Sequence, residues 1–170
     1  MSSEPAPRSN TAIAFIFAGA AVLASLVVFI AQLPLDTRGV FVAAFIGMAV
    51  AHVLLARVDL ENGTAKTASY FAALGWAILV VVSLVPGLPG LASSSGYLVI
   101  AVASVVVGVT VLRCSELQER SRPALVALMA IVALYMASAA FVFIGPLAAL
   151  LTILFGIAAI LTGYFIQTRR

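Results

Sequence analysis

An all-α, polytopic membrane bundle of six transmembrane helices, arranged as three hairpins with both termini on the inner side, is the fold this sequence predicts. Three observations predict it. Hydrophobic residues fill 64% of the 170 positions and charged residues only 9%, where an ordinary water-soluble domain carries roughly 25% charge. The apolar residues gather into runs of bilayer-crossing length, about 18 uncharged residues or so. The basic residues fall between those runs, and almost all of them on alternate connections, as the positive-inside rule requires.

Each element follows in order. MSSEPAPRSN, residues 1–10, reads as a short mobile cytoplasmic tail. Residues 11–33 form the first span, with Asn10 or Thr11 as its N-cap. That run is longer than the roughly 7–15 residues of a signal-peptide core, and FIAQLPLD offers no small-x-small cleavage site, so the span is expected to be retained. A turn at residues 34–38 leads into the second span, 40–56. Residues 57–67 carry Arg57, Asp59, Glu61 and Lys66, with the turn pair Asn62-Gly63.

The third span, 69–85, stops at Pro86-Gly87-Leu88-Pro89-Gly90, which cannot continue a helix. Residues 92–96, ASSSG, extend that loop before the fourth span, 97–112. RCSELQERSR, residues 113–122, is the most charged connection. Pro123 suits a helix first turn and opens the fifth span, 124–144. The sixth span is 147–166, with residues 167–170 as the cytoplasmic end. A single helix over 124–166 would reach roughly 65 Å, about twice the hydrocarbon layer, so the chain must reverse at Gly145-Pro146.

Orientation follows from the cations. With the N-terminus inside, the inner segments hold Arg8, Arg57, Lys66, Arg113, Arg120, Arg122, Arg169 and Arg170, and the outer loops hold Arg38 alone. This split places both termini in the cytoplasm and the protein in the cell membrane. Tyr70, Tyr97 and Tyr164 fall near span ends, where amphipathic rings settle. The three hairpins each reverse through a proline-containing turn, QLPLD, VPGLPG and IGPL, which suggests an internal repeat.

The same pattern excludes several chemistries. No basic patch forms, so nucleic acid is not a partner; the lipid bilayer is. One cysteine, Cys114, permits neither an internal disulfide nor a cysteine-cluster metal site. Within the spans as drawn there is no Asp, Glu, Lys or Arg, and such residues are what ion paths and proton relays in membranes are usually built from. No nucleophile has an activating base at membrane depth, and neither a phosphate loop nor an HExxH pattern occurs. No catalytic residue, cofactor or metal is therefore expected, and the chain is read as not an enzyme.

Three sets of residues remain. His52, the only histidine, is either a pH-responsive group or an interfacial side chain hydrogen-bonded to a neighbouring helix or water. Ser25, Ser83, Ser104, Ser138, Thr152 and Thr162 line a solute path if they face one cavity; otherwise they bond to backbone or to a neighbouring helix. Gly156, Ala159 and Gly163 share one helix face, as do Ala130, Ala133, Ala137 and Ala140, and Ala14, Ala18 and Ala21. Small residues let helices approach closely in lipid, so these stripes are packing faces.

The last hairpin, FVFIGPLAALLTILFGIAAILTGYFIQTRR, has a proline at its outer turn and a G-I-x-x-I-x-x-G run from Gly156 to Gly163 before a basic end. It resembles the hairpin of the HdeD-like acid-resistance membrane protein family, small six-span bacterial proteins. The match covers about thirty residues. The first hairpin departs from it, since Gly47 has no glycine seven residues later. The resemblance implies a non-enzymatic inner-membrane protein linked to stress tolerance. The alternatives are a channel or carrier for a small neutral solute and an accessory subunit of a membrane complex. A homo-oligomer or a membrane-complex partner is left open.

Overall fold

The computed structural model describes residues 8–32, 37–85, 88, 90–113, 121–141 and 145–168. Among them are six α-helices and no strand: α1 (Arg8–Ile30), α2 (Thr37–Leu54), α3 (Gly63–Leu84), α4 (Gly90–Arg113), α5 (Ser121–Phe141) and α6 (Gly145–Gln167). A π-helical turn, Leu55–Asp59, prolongs α2. Each helix has a segment long and apolar enough to cross a membrane, from Asn10–Ile30 to Leu147–Gln167. At 1.5 Å per residue these helices reach about 27–36 Å, which matches the hydrocarbon thickness.

Several boundaries differ from the sequence reading, for one physical reason. Hydropathy marks the length of chain that touches lipid, and a helix continues past it wherever its end can be capped. Helix α1 starts at Arg8, so Asn10 and Thr11 lie inside its first turn and do not cap it. Asn62-Gly63 is not a free turn. The Asn62 side chain accepts hydrogen bonds from the backbone N–H groups of Thr64 (2.9 Å) and Ala65 (3.3 Å), starting α3 six residues before the expected span. This is N-capping.

The ASSSG stretch is helical, not loop. Ser95 donates to the Ala92 carbonyl at 2.8 Å, and Gly96 is buried against Leu79 of α3. Gly145-Pro146 forms the first turn of α6, where proline's missing N–H costs nothing. The expected turns at residues 34–36 and at Pro86, Gly87 and Pro89, the span end at 142–144, Cys114 and the terminal Arg169-Arg170 lie outside the described residues.

The hairpins do not stand apart. Every helix packs on its neighbours in sequence, and α6 packs back on α1, so the six form a closed ring with both α1's start and α6's end on one face. The ring's interior is filled with side chains. Phe15, Met48, Trp76, Leu128, Met129, Met136 and Phe155 are all buried in one continuous core. Large apolar side chains such as Phe17, Phe71, Val102 and Leu134 remain exposed on the outside, the pattern expected where lipid is the solvent.

Two glycine seams hold helices close. A methyl group added at Gly19 of α1 would lie 2.6 Å from the Gly156 carbonyl oxygen of α6, and one at Gly163 would lie 2.5 Å from the Ala12 carbonyl oxygen. Ala159, between them on α6, is fully buried. On the other side of the ring, α3 and α4 meet at Gly75 and Gly96.

Candidate functional site

At the face opposite the start of α1, the ring opens into a vestibule of about 530 Å³. Its walls come from four helices: Arg38, Phe41 and Phe45 of α2, Val82 and Ser83 of α3, Tyr97 of α4, and Tyr135, Met136 and Ala139 of α5. Helices α2 and α5 are not neighbours in the ring, so this space belongs to the bundle's interior and not to its lipid surface. Arg38 sits at the rim, where its Nε–H donates to the Ser83 carbonyl. That bond ties the start of α2 to the end of α3 and sets the plane of the guanidinium.

Aromatic rings lie below the vestibule. Phe41 and Phe45 are one helical turn apart, with centroids at 6.1 Å. Phe45 contacts Trp76 at 5.5 Å, Trp76 stacks on Phe155 at 5.9 Å, and Phe155 meets Tyr135 at 6.0 Å. These spacings suit offset aromatic packing. Since α3 and α6 are opposite one another in the ring, the Trp76–Phe155 stack crosses its centre. Trp76 Nε1, buried there, has no hydrogen-bond partner among the described residues.

A second polar feature lies between this layer and the face where α1 begins. Ser69 of α3 donates its hydroxyl to the His52 carbonyl at 2.9 Å, and His52 Nδ1 lies 3.1 Å from the Ser69 hydroxyl oxygen. Because the serine's one proton is committed to the carbonyl, the imidazole must donate from Nδ1, which leaves Nε2 as a bare acceptor. Nε2 is buried without a partner among the described residues, and the Phe15 ring stands edge-on to the imidazole at 6.3 Å. His52 is thus fully buried and hydrogen-bonded to the neighbouring helix α3.

The hydroxyl residues do not converge. Ser25 donates to Val22, Ser138 to Tyr135, Thr152 to Ala148, and Thr162 to Ala158 with a longer bond to Ala124. Ser104 is buried with no partner among the described residues. Only Ser83 of the six lines the vestibule. The condition for a hydroxyl-lined path is not met, because in lipid a serine or threonine satisfies itself most cheaply on its own helix.

Among the described residues no three His, Cys, Asp or Glu side chains gather as a metal site. The other cavities, such as the groove lined by Phe71, Leu98 and Val102 between α3 and α4, are apolar and open on the bundle's outside.

Sequence reasoning did not single out Phe41, Phe45, Tyr135 or Arg38 as a site, and it took Tyr97 for a boundary aromatic. One signal was available: Arg38 is the single cation placed on the sparsely charged side. Comparison of the chain with protein-family models, curated proteins and solved structures finds no match. The fold and composition define a multi-pass, all-helical membrane protein.

Proposed function

We propose that this chain is a non-enzymatic protein of the cytoplasmic membrane, with both termini inside, that serves in stress tolerance without conducting solute across the bilayer. One observation carries the non-conducting part: the aromatic layer Phe45–Trp76–Phe155–Tyr135 spans the middle of the ring, with fully buried Met48, Met129 and Met136 packed around the same core. A carrier site at mid-membrane is normally built on polar groups or broken helices, and here the centre is aromatic and thioether. Arg57, Lys66, Arg113 and Arg122 lie at the face where α1 begins, and Arg38 at the other, which supports the inside orientation.

Acid stress is the first candidate, on the resemblance of the last hairpin, with His52 as the pH-responsive group. A proton added to the imidazole goes to Nε2, so the charge arises beside Phe15 and between α1, α2 and α3. Purified protein in liposomes is expected to show no flux of glycerol or urea above empty vesicles, and measurable flux overturns the non-conducting reading. His52→Ala in the native host is expected to lower survival of an acid challenge. Unchanged survival removes His52 from the proposal.

A further inference from the structure

The groove between α3 and α4 is apolar along most of its length and polar at one end. Its walls run from Gly63 to Phe71 on α3 and from Leu98 to Val106 on α4, around a space of about 690 Å³ that opens on the bundle's outside. On each helix the lining covers about 12 Å, close to the depth of one leaflet of the roughly 30 Å hydrocarbon layer. On α3 it stops short of the seam where Gly75 meets Ile100. We propose that this groove holds one acyl chain of an anionic phospholipid from the leaflet on the face where α1 begins, with the lipid phosphate at the Arg113 guanidinium.

The register of the two helices brings the charge to the groove. Gly75 lies against Ile100 and Gly96 against Leu79, so Arg113, the last residue of α4, comes level with Asn62 and Gly63 at the start of α3. Arg113 also falls seven positions after Val106, two turns along the same helix face. Side chains on a helix lean toward its N-terminus, and for Arg113 that direction is back toward the groove. Arg113 is exposed and makes no ion pair with any described residue. Glu61, the carboxylate just before Asn62 in the chain, has an interaction of its own.

The hydroxyls at that end point to a polar occupant as well. A threonine within a helix commonly gives its proton to the carbonyl one turn back, as Thr110, Thr152 and Thr162 do. Thr64 and Thr67 line the Gly63 end, are exposed, and make no such bond among the described residues. Their protons are open to phosphate or ester oxygens. Nothing stands within 4 Å of a methyl group imagined at Gly63, which leaves room for a headgroup.

Depth and charge together select the occupant. A partner helix crossing the membrane needs a matching face along about 30 Å, whereas an acyl chain ends within one leaflet. An unbalanced guanidinium matches a phosphodiester and has nothing to gain from the added ammonium of a zwitterionic lipid.

Native mass spectrometry of the purified full chain in a neutral detergent tests this, with dioleoylphosphatidylglycerol, dioleoylphosphatidylcholine and glycerol phosphate as probes. The wild type is expected to take up one phosphatidylglycerol saturably, about fivefold more tightly than phosphatidylcholine, the worth of one basic side chain beside an anionic lipid. Glycerol phosphate, which lacks the chain, is expected not to compete. Arg113→Gln is expected to erase the preference and Arg113→Lys to keep most of it. Arg8→Gln removes a cation from the start of α1, which packs on neither α3 nor α4 among the described residues, and is expected to leave the preference intact.

Thr67→Trp and Val102→Trp fill the groove from its two walls at exposed positions, and each is expected to lower uptake of both lipids about fivefold or more. A thermal melt restricts the comparison to folded variants, and the Arg113 pair decides alone if neither filled variant folds. Equal uptake of the two lipids by the wild type, a preference that Arg113→Gln does not move, competition by glycerol phosphate, or a dimer that Val102→Trp breaks overturns the proposal.

Discussion

The α1–α6 seam and the α3–α4 seam are both antiparallel contacts built on glycine, and they use it differently. At α1–α6 the space where a side chain would stand is occupied by backbone: the carbonyl oxygens of Gly156 and Ala12 lie 2.6 Å and 2.5 Å from methyl groups imagined at Gly19 and Gly163. At α3–α4 the atoms nearest the imagined methyl groups belong to side chains, Ile100 Cγ1 at 2.6 Å for Gly75, with the Gly96 carbonyl oxygen behind it at 3.1 Å, and the Leu79 Cδ2 end at 2.9 Å for Gly96. A side-chain end can rotate away, whereas a helix backbone can move only as a whole. The first seam closes the ring between the helices most distant in sequence, and it does so with no slack.

The sharpest way to break that contrast is Gly163→Leu. It is expected to cost about 3 kcal/mol or more of stability, beyond ordinary overpacking, because α1 and α6 must separate; an unchanged melting temperature in detergent refutes a backbone-tight seam. Gly19→Ala comes next, at about 1–3 kcal/mol from a single methyl group. Gly96→Ala is expected to be close to neutral, within about 1 kcal/mol, since Leu79 can yield and alanine favours helix. A Gly96→Ala loss equal to that of Gly19→Ala would erase the distinction between the seams. The smallest effect is Gly63→Ala. With nothing within 4 Å of the added methyl, it is expected to stabilise by about 0.5 kcal/mol in a reversible denaturation assay.

The fold class was legible because lipid leaves a coarse signature: long uncharged runs and cations confined to alternate connections. Helix ends were less legible. Asn62 caps α3 and Ser95 bonds within α4, although both stretches carry the glycine, serine and asparagine that also make turns. The closed ring was not legible at all, because nothing in the chain order of three hairpins says that α6 returns to α1. The vestibule was hidden for the same reason. Its walls lie on four helices, from Arg38 to Ala139, and only the ring order brings them together. His52 was visible as the sole histidine, but its partner Ser69 is 17 residues away, at the near end of the next helix.

The wide turn at the end of α2 has its own consequence. The Leu60 N–H reaches back five residues to the Leu55 carbonyl at 3.0 Å, so this stretch holds one residue more than a regular turn would. That surplus residue acts as a phase shifter. It lets Asp59 and Leu60 face inward in the same chain that aims His52 at Ser69. Winding the stretch at ordinary pitch with every residue kept would swing everything after it by about 100°. Such a regular helix would present Asp59 on a different flank, while the helix before it kept its bearings.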